Sequence, residues 1–387
     1  MRILMIHPHD LHSSLEPWTV RIIKFADELA DKGHEITVLY CPLTRSEQRV
    51  FRGIKFIPLE RKLSCKALLH NTFFLFKRAR HADIIHFQKA HFYMAIPVLL
   101  AAALSGKPLH YDWDDWEEKI FDRAILKKNL TSVVTGFSFY WLERWLPFLS
   151  DSVSVSSSSL RRLAIIRGAN ERKVVLAPVG ADLKRFHPDR SGEVVRTKYD
   201  INTAVLVLYH GQLHSCQYVR IFLKAIKIIE QSRVELPLRF IVVGTGSDLL
   251  SLQSFARDLG LDQKVIFTDY IPHADIPDYV AAADICVAPF EDNEVTRCKS
   301  PLKIAEYMAA GKPVVASDVG EVRSMLEGVG LLVKPCSPEE MAQGILKLAV
   351  NPELRRKMSL EARRRAEYKY NWRCSAEALE KVYRSIV

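Results

Sequence analysis

Residues 300–320 read SPLKIAEYMAAGKPVVASDVG. Pro301 suits a helix start, because it lacks the N–H that a first turn leaves unpaired and its φ is already set. Leu302, Ile304, Ala305, Met308 and Ala309 then share one helical face. Gly311 supplies a left-handed cap, Pro313 blocks continuation, and VVAS reads as a short buried strand. The stretch is therefore loop, helix of about three turns, tight turn and strand. Lys303 and Glu306 fall in the first two turns, where unpaired N–H groups and the helix dipole favour an anion. A diphosphate above the helix start, with a carboxylate one turn in to accept hydroxyl hydrogen bonds, is one reading. A helix N-terminus carrying ordinary surface charges is the other.

Working outward, 387 residues suffice for two domains with separate cores. The seven cysteines are scattered without a C-x-x-C pair, which argues against a zinc site or a disulfide framework and for reduced thiols in a cytoplasm. Met1–Ile6 has no signal-peptide pattern, and the longest apolar runs, such as AIPVLLAAAL at 95–104, are too short to span a bilayer. Charge is uneven. Of the net +10, +9 lies in residues 1–190, so an anionic partner is expected for the first half. Beyond that charge no nucleic-acid motif is present, and nucleic acid is set aside.

Along the chain, RILMIH (2–7) is a buried-strand pattern, and residues 18–32 carry apolar positions at 18, 22, 25, 26 and 29 as an amphipathic helix does. Gly33 caps it and EITVLY follows, giving a βαβ unit and a parallel sheet with ligands at the carboxyl ends of its strands. His7, His9, Asp10 and His12 cluster after the first strand, but no spacing converges them on a metal. Further strands are expected at 54–58, 84–88, 108–112 and 151–155, with helices at 91–105, 122–147 and 160–167. The alternation repeats from strand 204–209 through helix 216–231 and strands 238–243, 264–267, 284–288, 313–317 and 331–333. Residues 372–386 form a last amphipathic helix. Two doubly wound domains with a cleft between them is the expected architecture.

Two stretches, 63–80 and 120–149, mix bulky aromatics with Lys and Arg, as an interfacial helix on anionic lipid would. The plainer reading is rings in a core and cations in water. DWDD at 112–115 is the densest acidic cluster and sits where a parallel strand ends. Paired carboxylates suit Mg²⁺ or Mn²⁺, whereas an acid on the acceptor side of a site, or a structural acid, needs no metal.

Four pieces in order resemble the family 4 glycosyltransferases of GT-B fold, and the resemblance covers nearly the whole chain. They are the 300–320 segment, PVGADLKRFHP (178–188), VVGTGSD (242–248) and VIFTDYIPHADIPDYVAAADICVAPF (265–290). The resemblance implies two Rossmann-like domains facing across a cleft, here 1–188 for the acceptor and 189–370 for the nucleotide-sugar, with 371–387 crossing back as a helix. It also implies transfer with retention, no cofactor and no required metal. Glu306 matches the second Glu of the family's E-x7-E motif, which holds the ribose, and Cys298 stands where the first Glu belongs. Ser300, Pro301, Leu302 and Lys303 match the donor loop. Gly244 and Gly246 match V-G-x-G. After Gly211, Gln212 and Gln217 replace the Arg and Lys that neutralise the leaving diphosphate; Arg297, Lys299, Arg220 and His214 are candidate substitutes. The acceptor-side His aligns near Asp114; the early Gly-Gly loop that contacts donor phosphate is absent, and in its place stands DLHSS (10–14), whose Asp10, His12 and Ser13 are expected on the acceptor side.

The leading expectation is a transferase moving a sugar from a UDP- or GDP-sugar to a glycan or lipid-linked acceptor, cytoplasmic and peripheral on the inner face of a membrane. Asp114, Asp115 and Lys303 would serve the chemistry, Glu306 the ribose, and Asp112 the acceptor side. A GT-B scaffold that lost catalysis and acts as a binding or partner subunit is the alternative, motivated by Cys298, Gln212 and Gln217. A sugar-nucleotide epimerase is the third.

Overall fold

The computed structural model describes residues 1–12, 19–44, 46–62, 64–125, 130–214, 218–232 and 235–387, with the backbone alone over 122–125 and 130–135. The chain divides into two compact units. The first comprises Met1–Pro178, Cys298–Ser300 and Trp372–Val387; the second comprises Val179–Arg297 and Pro301–Asn371.

The first unit is built from β1 (Arg2–His7), α1 (Val20–Asp31), β2 (Glu35–Tyr40), β3 (Arg49–Phe51), β4 (Ile54–Pro58), α2 (Cys65–Ala79), β5 (Ile84–Gln88), α3 (Phe92–Ser105), β6 (Leu109–Trp113), α4 (Glu117–Ile125), α5 (Leu130–Leu149), β7 (Ser152–Val155), α6 (Ser158–Ile166) and β8 (Val174–Leu176). Among the described residues its sheet has eight strands in the order β3-β4-β2-β1-β5-β6-β7-β8. All neighbours are parallel except β3, which pairs antiparallel with β4 at the edge. Runs such as IIHFQ and LHYDW are buried at every position because helices cover both faces of such a sheet. On α1, Ile22, Phe25, Ala26 and Leu29 are buried at the spacing of one helical face, and Gly33 follows at φ 84°. The single helix expected over 122–147 is instead two, α4 and α5. Acidic residues at 117 and 118 start a helix five residues early, which apolar periodicity alone does not register.

The second unit contains α7 (Glu193–Lys198), β9 (Val205–His210), α8 (Tyr218–Gln231), β10 (Leu238–Val243), α9 (Leu249–Asp258), β11 (Val265–Phe267), α10 (Ile276–Ala282), β12 (Ile285–Ala288), α11 (Glu294–Cys298), α12 (Leu302–Ala309), β13 (Val314–Ser317), α13 (Glu321–Leu326), β14 (Leu331–Val333), α14 (Pro338–Ala349) and α15 (Pro352–Tyr368). Its strands are all parallel, in the order β11-β10-β9-β12-β13-β14. The deciding stretch behaves as read, with two differences: Pro301 is the residue before the helix and Leu302 the first within it, and the helix has 8 residues, about two turns and not three. Gly311 takes φ 62° and β13 follows, buried throughout.

The boundary at 188 moves to Pro178. The Ala181 amide donates to the Tyr370 carbonyl at 2.9 Å, and Phe186 is buried in the second unit's core, so 179–188 belong with that unit. The last helix, α16 (Trp372–Arg384), packs on α1 of the first unit, with the Trp372 and Phe25 rings edge-on at 5.7 Å.

Candidate active site

In the second unit the strand order reverses between β9 and β12, and in open α/β sheets ligands gather outside the strand ends at such a point. β9 ends there at His210 and turns at Gly211, whose φ is 147°. A Cβ at Gly211 would lie 2.5 Å from Lys303 Nζ, and one at Gly244 (φ 138°) would lie 2.0 Å from the Gly211 carbonyl oxygen. At Gly246 it would meet the Leu213 carbonyl at 2.2 Å. Only glycine allows the loops after β9 and β10 to lie this closely backbone on backbone. The Leu213 amide donates to Thr245 O (3.0 Å) and the Asp248 amide to Leu213 O (2.9 Å), which locks the two loops together. Lys303, in the first turn of α12, holds its ammonium 4.0 Å from the Tyr209 ring centroid. Gly211, Gly244, Gly246 and Lys303 are thus brought to one place, with Gln212 exposed in the same loop. Gln217 and Ser13 lie outside the described residues.

Glu306, one turn further along α12, is buried and held by two histidines. Its Oε1 is 2.8 Å from His273 Nε2, and its Oε2 is 3.3 Å from His210 Nε2. Arg185 Nη1 lies 3.4 Å from His273 Nδ1 and Nη2 donates to the His273 carbonyl at 2.6 Å. A guanidinium only donates, so Nδ1 accepts and Nε2 carries the hydrogen directed at Glu306. Burial pushes the Glu306 carboxyl up, but its contacts with His210 and His273 outweigh it and leave it at about 2. His210 is itself lowered by burial, against the pull of Glu306. Glu306 is therefore an ionised, fixed acceptor at neutral pH. A carboxylate has about four lone-pair positions, so sites remain for ligand hydroxyls.

The candidate substitute cations are mostly committed. Arg297 is paired with Asp292 at 2.6 and 2.9 Å. Arg220 stacks over Phe255 at 4.7 Å and donates to Ser251. His214 Nδ1 accepts from the Ser247 amide at 3.1 Å. Cys298, expected among the donor contacts, is buried in the apolar cluster of the first unit, where its carbonyl accepts from Ser157 Oγ at 2.6 Å. The sulfur follows its hydrophobicity into a core. Ser300 falls in the same short segment of the first unit.

In the first unit the strand order reverses between β1 and β5, and a polar cluster stands at their carboxyl ends. Lys89 follows β5 at φ 63°, an uncommon region for a side chain other than glycine, and is buried. Its ammonium lies 3.2 Å from Asp114 Oδ1 and 2.6 Å from Glu117 Oε1. Gln88 Nε2 donates to Asp114 Oδ2 at 3.2 Å. Burial raises the Asp114 carboxyl despite Lys89. Carboxylate oxygens of Asp114, Asp115 and Glu117 come within 4.8 Å of one another, a spacing compatible with a cation, and the Lys89 ammonium already stands among them. His7, ending β1, is fully buried 5.4 Å ring to ring from His9, and its two ring nitrogens meet no hydrogen-bond partner among the described residues.

Two acceptor-side expectations are corrected. Asp112 is fully buried in an ion pair: Arg21 Nε and Nη2 donate to its two oxygens at 2.8 and 2.7 Å, and Ser154 Oγ donates at 2.5 Å. Arg21 also donates to the Ala177 carbonyl at 2.8 Å, so the pair ties α1 to β6 and the end of β8. Asp10 accepts from the His12 and Leu43 amides, both at 2.9 Å, and shapes its own loop. His12 is exposed, its ring edge-on to Tyr40. Sequence reasoning missed Arg21, Gln88, Lys89, His210 and His273. His210 and Gln88 end buried strands, and that position was the available signal.

Comparison with known proteins bears on both units. The family description "Glycosyltransferase Family 4" matches residues 19–185, and "Glycosyl transferases group 1" matches 204–351. The chain is 29% identical over 253 residues to a D-inositol 3-phosphate glycosyltransferase of Kineococcus radiotolerans, covering 61% of this chain and 57% of that one. It is 27% identical over 194 residues to an alpha-D-kanosaminyltransferase of Streptomyces kanamyceticus, covering 50% and 48%. The chain thus spans about half the length of the curated relatives it matches. Among solved structures, HepE of Anabaena in complex with UDP and glucose superposes with TM-score 0.73 at 17% identity over the whole of both chains. Sucrose-phosphate synthase from Thermosynechococcus elongatus gives 0.73 at 17%, covering 100% of this chain and 98% of that one. With a glycosyltransferase description matched on each half, in order, and two parallel-sheet α/β units, the chain is similar to the family 4 glycosyltransferases and has the GT-B fold.

Proposed function

We propose that this chain transfers a sugar, with retention, from a UDP- or GDP-sugar to a glycan or lipid-linked acceptor in the synthesis of a cell-surface polysaccharide or glycolipid. The observation that carries the reading is Glu306, an ionised carboxylate fixed between His210 and His273 one helical turn from Lys303. Glu306 accepts hydrogen bonds from the ribose hydroxyls. Lys303 and the glycine loops at 211 and 244–246 face the diphosphate. As the bond from the anomeric carbon to the phosphate oxygen breaks, its electron pair goes to the diphosphate, and the Lys303 ammonium stabilises the charge that develops. The acceptor oxygen bonds to the anomeric carbon on the same face, and its proton passes to the departing phosphate oxygen. Pro301 and Leu302 place this helix start, and Gln212 offers an amide where relatives use a cation. Asp114 and Asp115 serve the acceptor in the first unit.

No metal is required in this scheme, because Lys303 supplies cationic charge at the leaving group and Lys89 supplies it among Asp114 and Glu117. The reading places the protein in the cytoplasm, its basic first half against an anionic membrane surface. Calorimetric titration with UDP, GDP, ADP and their sugar conjugates tests the donor site. Micromolar binding of one nucleotide, lost in Glu306→Ala, is expected. Binding of none would replace this reading with a partner subunit that has lost catalysis, which Gln212 favours.

A further inference from the structure

The exposed apolar residues of the first unit are concentrated on three neighbouring helices. On α5, Phe137, Trp141, Trp145 and Phe148 follow at four-, four- and three-residue spacing, and Phe137 and Phe148 are 65% and 60% exposed. That spacing sets them on one face, and the rings touch along it, Phe137 on Trp141 and Trp145 on Phe148. α3 packs between α5 and α2 and presents Ile96, Leu100 and Leu104 at steps of four. It carries no charged residue over its whole length. On α2, Leu69 and Phe73 are 71% and 58% exposed, again four apart. A core explains none of these side chains, and exposed apolar residues grouped in this way mark an interaction surface.

The sequence of α2 and its approach is strongly basic, although Glu60 just before it pairs with Lys62 at 3.5 Å. Residues 61–80 contain six Lys and Arg and no Asp or Glu. Lys77 reaches over the Phe73 ring at 4.3 Å, Arg78 over Phe74 at 3.4 Å, and Arg144 over Tyr140 at 5.8 Å. Such cations lie along the aromatic surface, Arg78 also donating to the Phe74 carbonyl at 3.5 Å, and cationic heads beside rings suit the boundary between acyl chains and headgroups. No helix among the described residues is long and apolar enough to cross a membrane, so the contact is with one leaflet.

We infer that the α2–α3–α5 face is a docking surface for an anionic lipid bilayer, with the rings of α5 entering the headgroup region and the cations of α2 meeting lipid phosphate. This deepens the membrane-surface reading above and does not depend on the donor site. A stripe of exposed rings without the basic segment 61–80 would suit a protein partner equally; that segment selects lipid.

The test is flotation of the full chain with vesicles of phosphatidylcholine, alone and mixed with phosphatidylglycerol. Wild type floats with the mixed vesicles and is partly released by salt. The variant Trp141→Ser with Trp145→Ser and Phe148→Ser partitions at least about tenfold less. A second variant, Lys77→Glu with Arg78→Glu, loses the preference for anionic vesicles. Circular dichroism melting and nucleotide titration show that both variants are folded and keep their donor site. Failure of wild type to float, flotation unchanged in the ring variant, or a dimer that forms through this face in place of flotation would each overturn the inference. If nucleotide binding persists in any of these cases, the donor reading stands.

Discussion

Replacing Asp112 by Asn keeps the shape of the side chain and removes its charge, leaving the Arg21 guanidinium buried without a counter-ion. Two charge-assisted hydrogen bonds are lost or weakened, each contributing about 1.5–3 kcal/mol. Removing one partner of a buried pair destabilises by about 3–5 kcal/mol in general, and the two figures agree. The readout is clean, because all six tryptophans lie in the segments that make up the first unit and none in the second. Urea unfolding followed by tryptophan fluorescence therefore reports the unit that holds the pair. A second signature comes from acid. Burial raises the Asp112 carboxyl, but Arg21 and Ser154 outweigh it, and the value falls from 3.8 to about 2. A depressed folded value stabilises above the unfolded one and is lost as pH falls through the folded one. The stabilisation is about 2.5 kcal/mol, present above pH ~4 and gone below pH ~2. The Asn variant should lack this contribution to the acid limb. Loss of less than about 1 kcal/mol at neutral pH, or an acid limb identical to wild type, would refute the assignment of Asp112 to structure.

Gly244→Ala forces a Cβ to within 2.0 Å of the Gly211 carbonyl at φ 138°, and strain plus overpacking should destabilise the second unit by about 2–5 kcal/mol, measured by circular dichroism melting. Lys303→Met should weaken UDP binding by about tenfold to a hundredfold while changing uridine binding little, measured by calorimetry, since the ammonium addresses phosphate and not the nucleoside.

The parallel sheets, the glycine turns and the helix 302–309 were legible because each rests on local rules: buried runs, a proline start, a glycine stop. The convergence of Gly211, Gly244 and Lys303 was legible only as a set of motif positions; that their backbones touch is a tertiary fact. Arg21 was hidden by its neighbours. In VRIIKFADELAD it looks like one more surface cation, yet the face it occupies is the buried one, and its partner is 91 residues away. Asp112 erred in the opposite sense: an acid at a strand end looks like a site, and the last buried pleat took it inward. Glu306 was found from its place on the helix, but His210 and His273, which give it a fixed charge, come from separate loops that no local pattern links.

The position of α16 has a bearing on how the protein is made. Tyr383 places its hydroxyl 2.6 Å from His86 Nδ1 in the interior of the first unit, and Trp372 closes over Phe25. These groups leave the ribosome roughly 190 residues after Pro178, an interval of about 10–40 s at ordinary elongation rates. Through that interval the first unit has its strands but not its last wall. The second unit, almost continuous in sequence, can form completely in the meantime. The unit whose strands are synthesised first is thus completed after the second unit, once α16 has arrived.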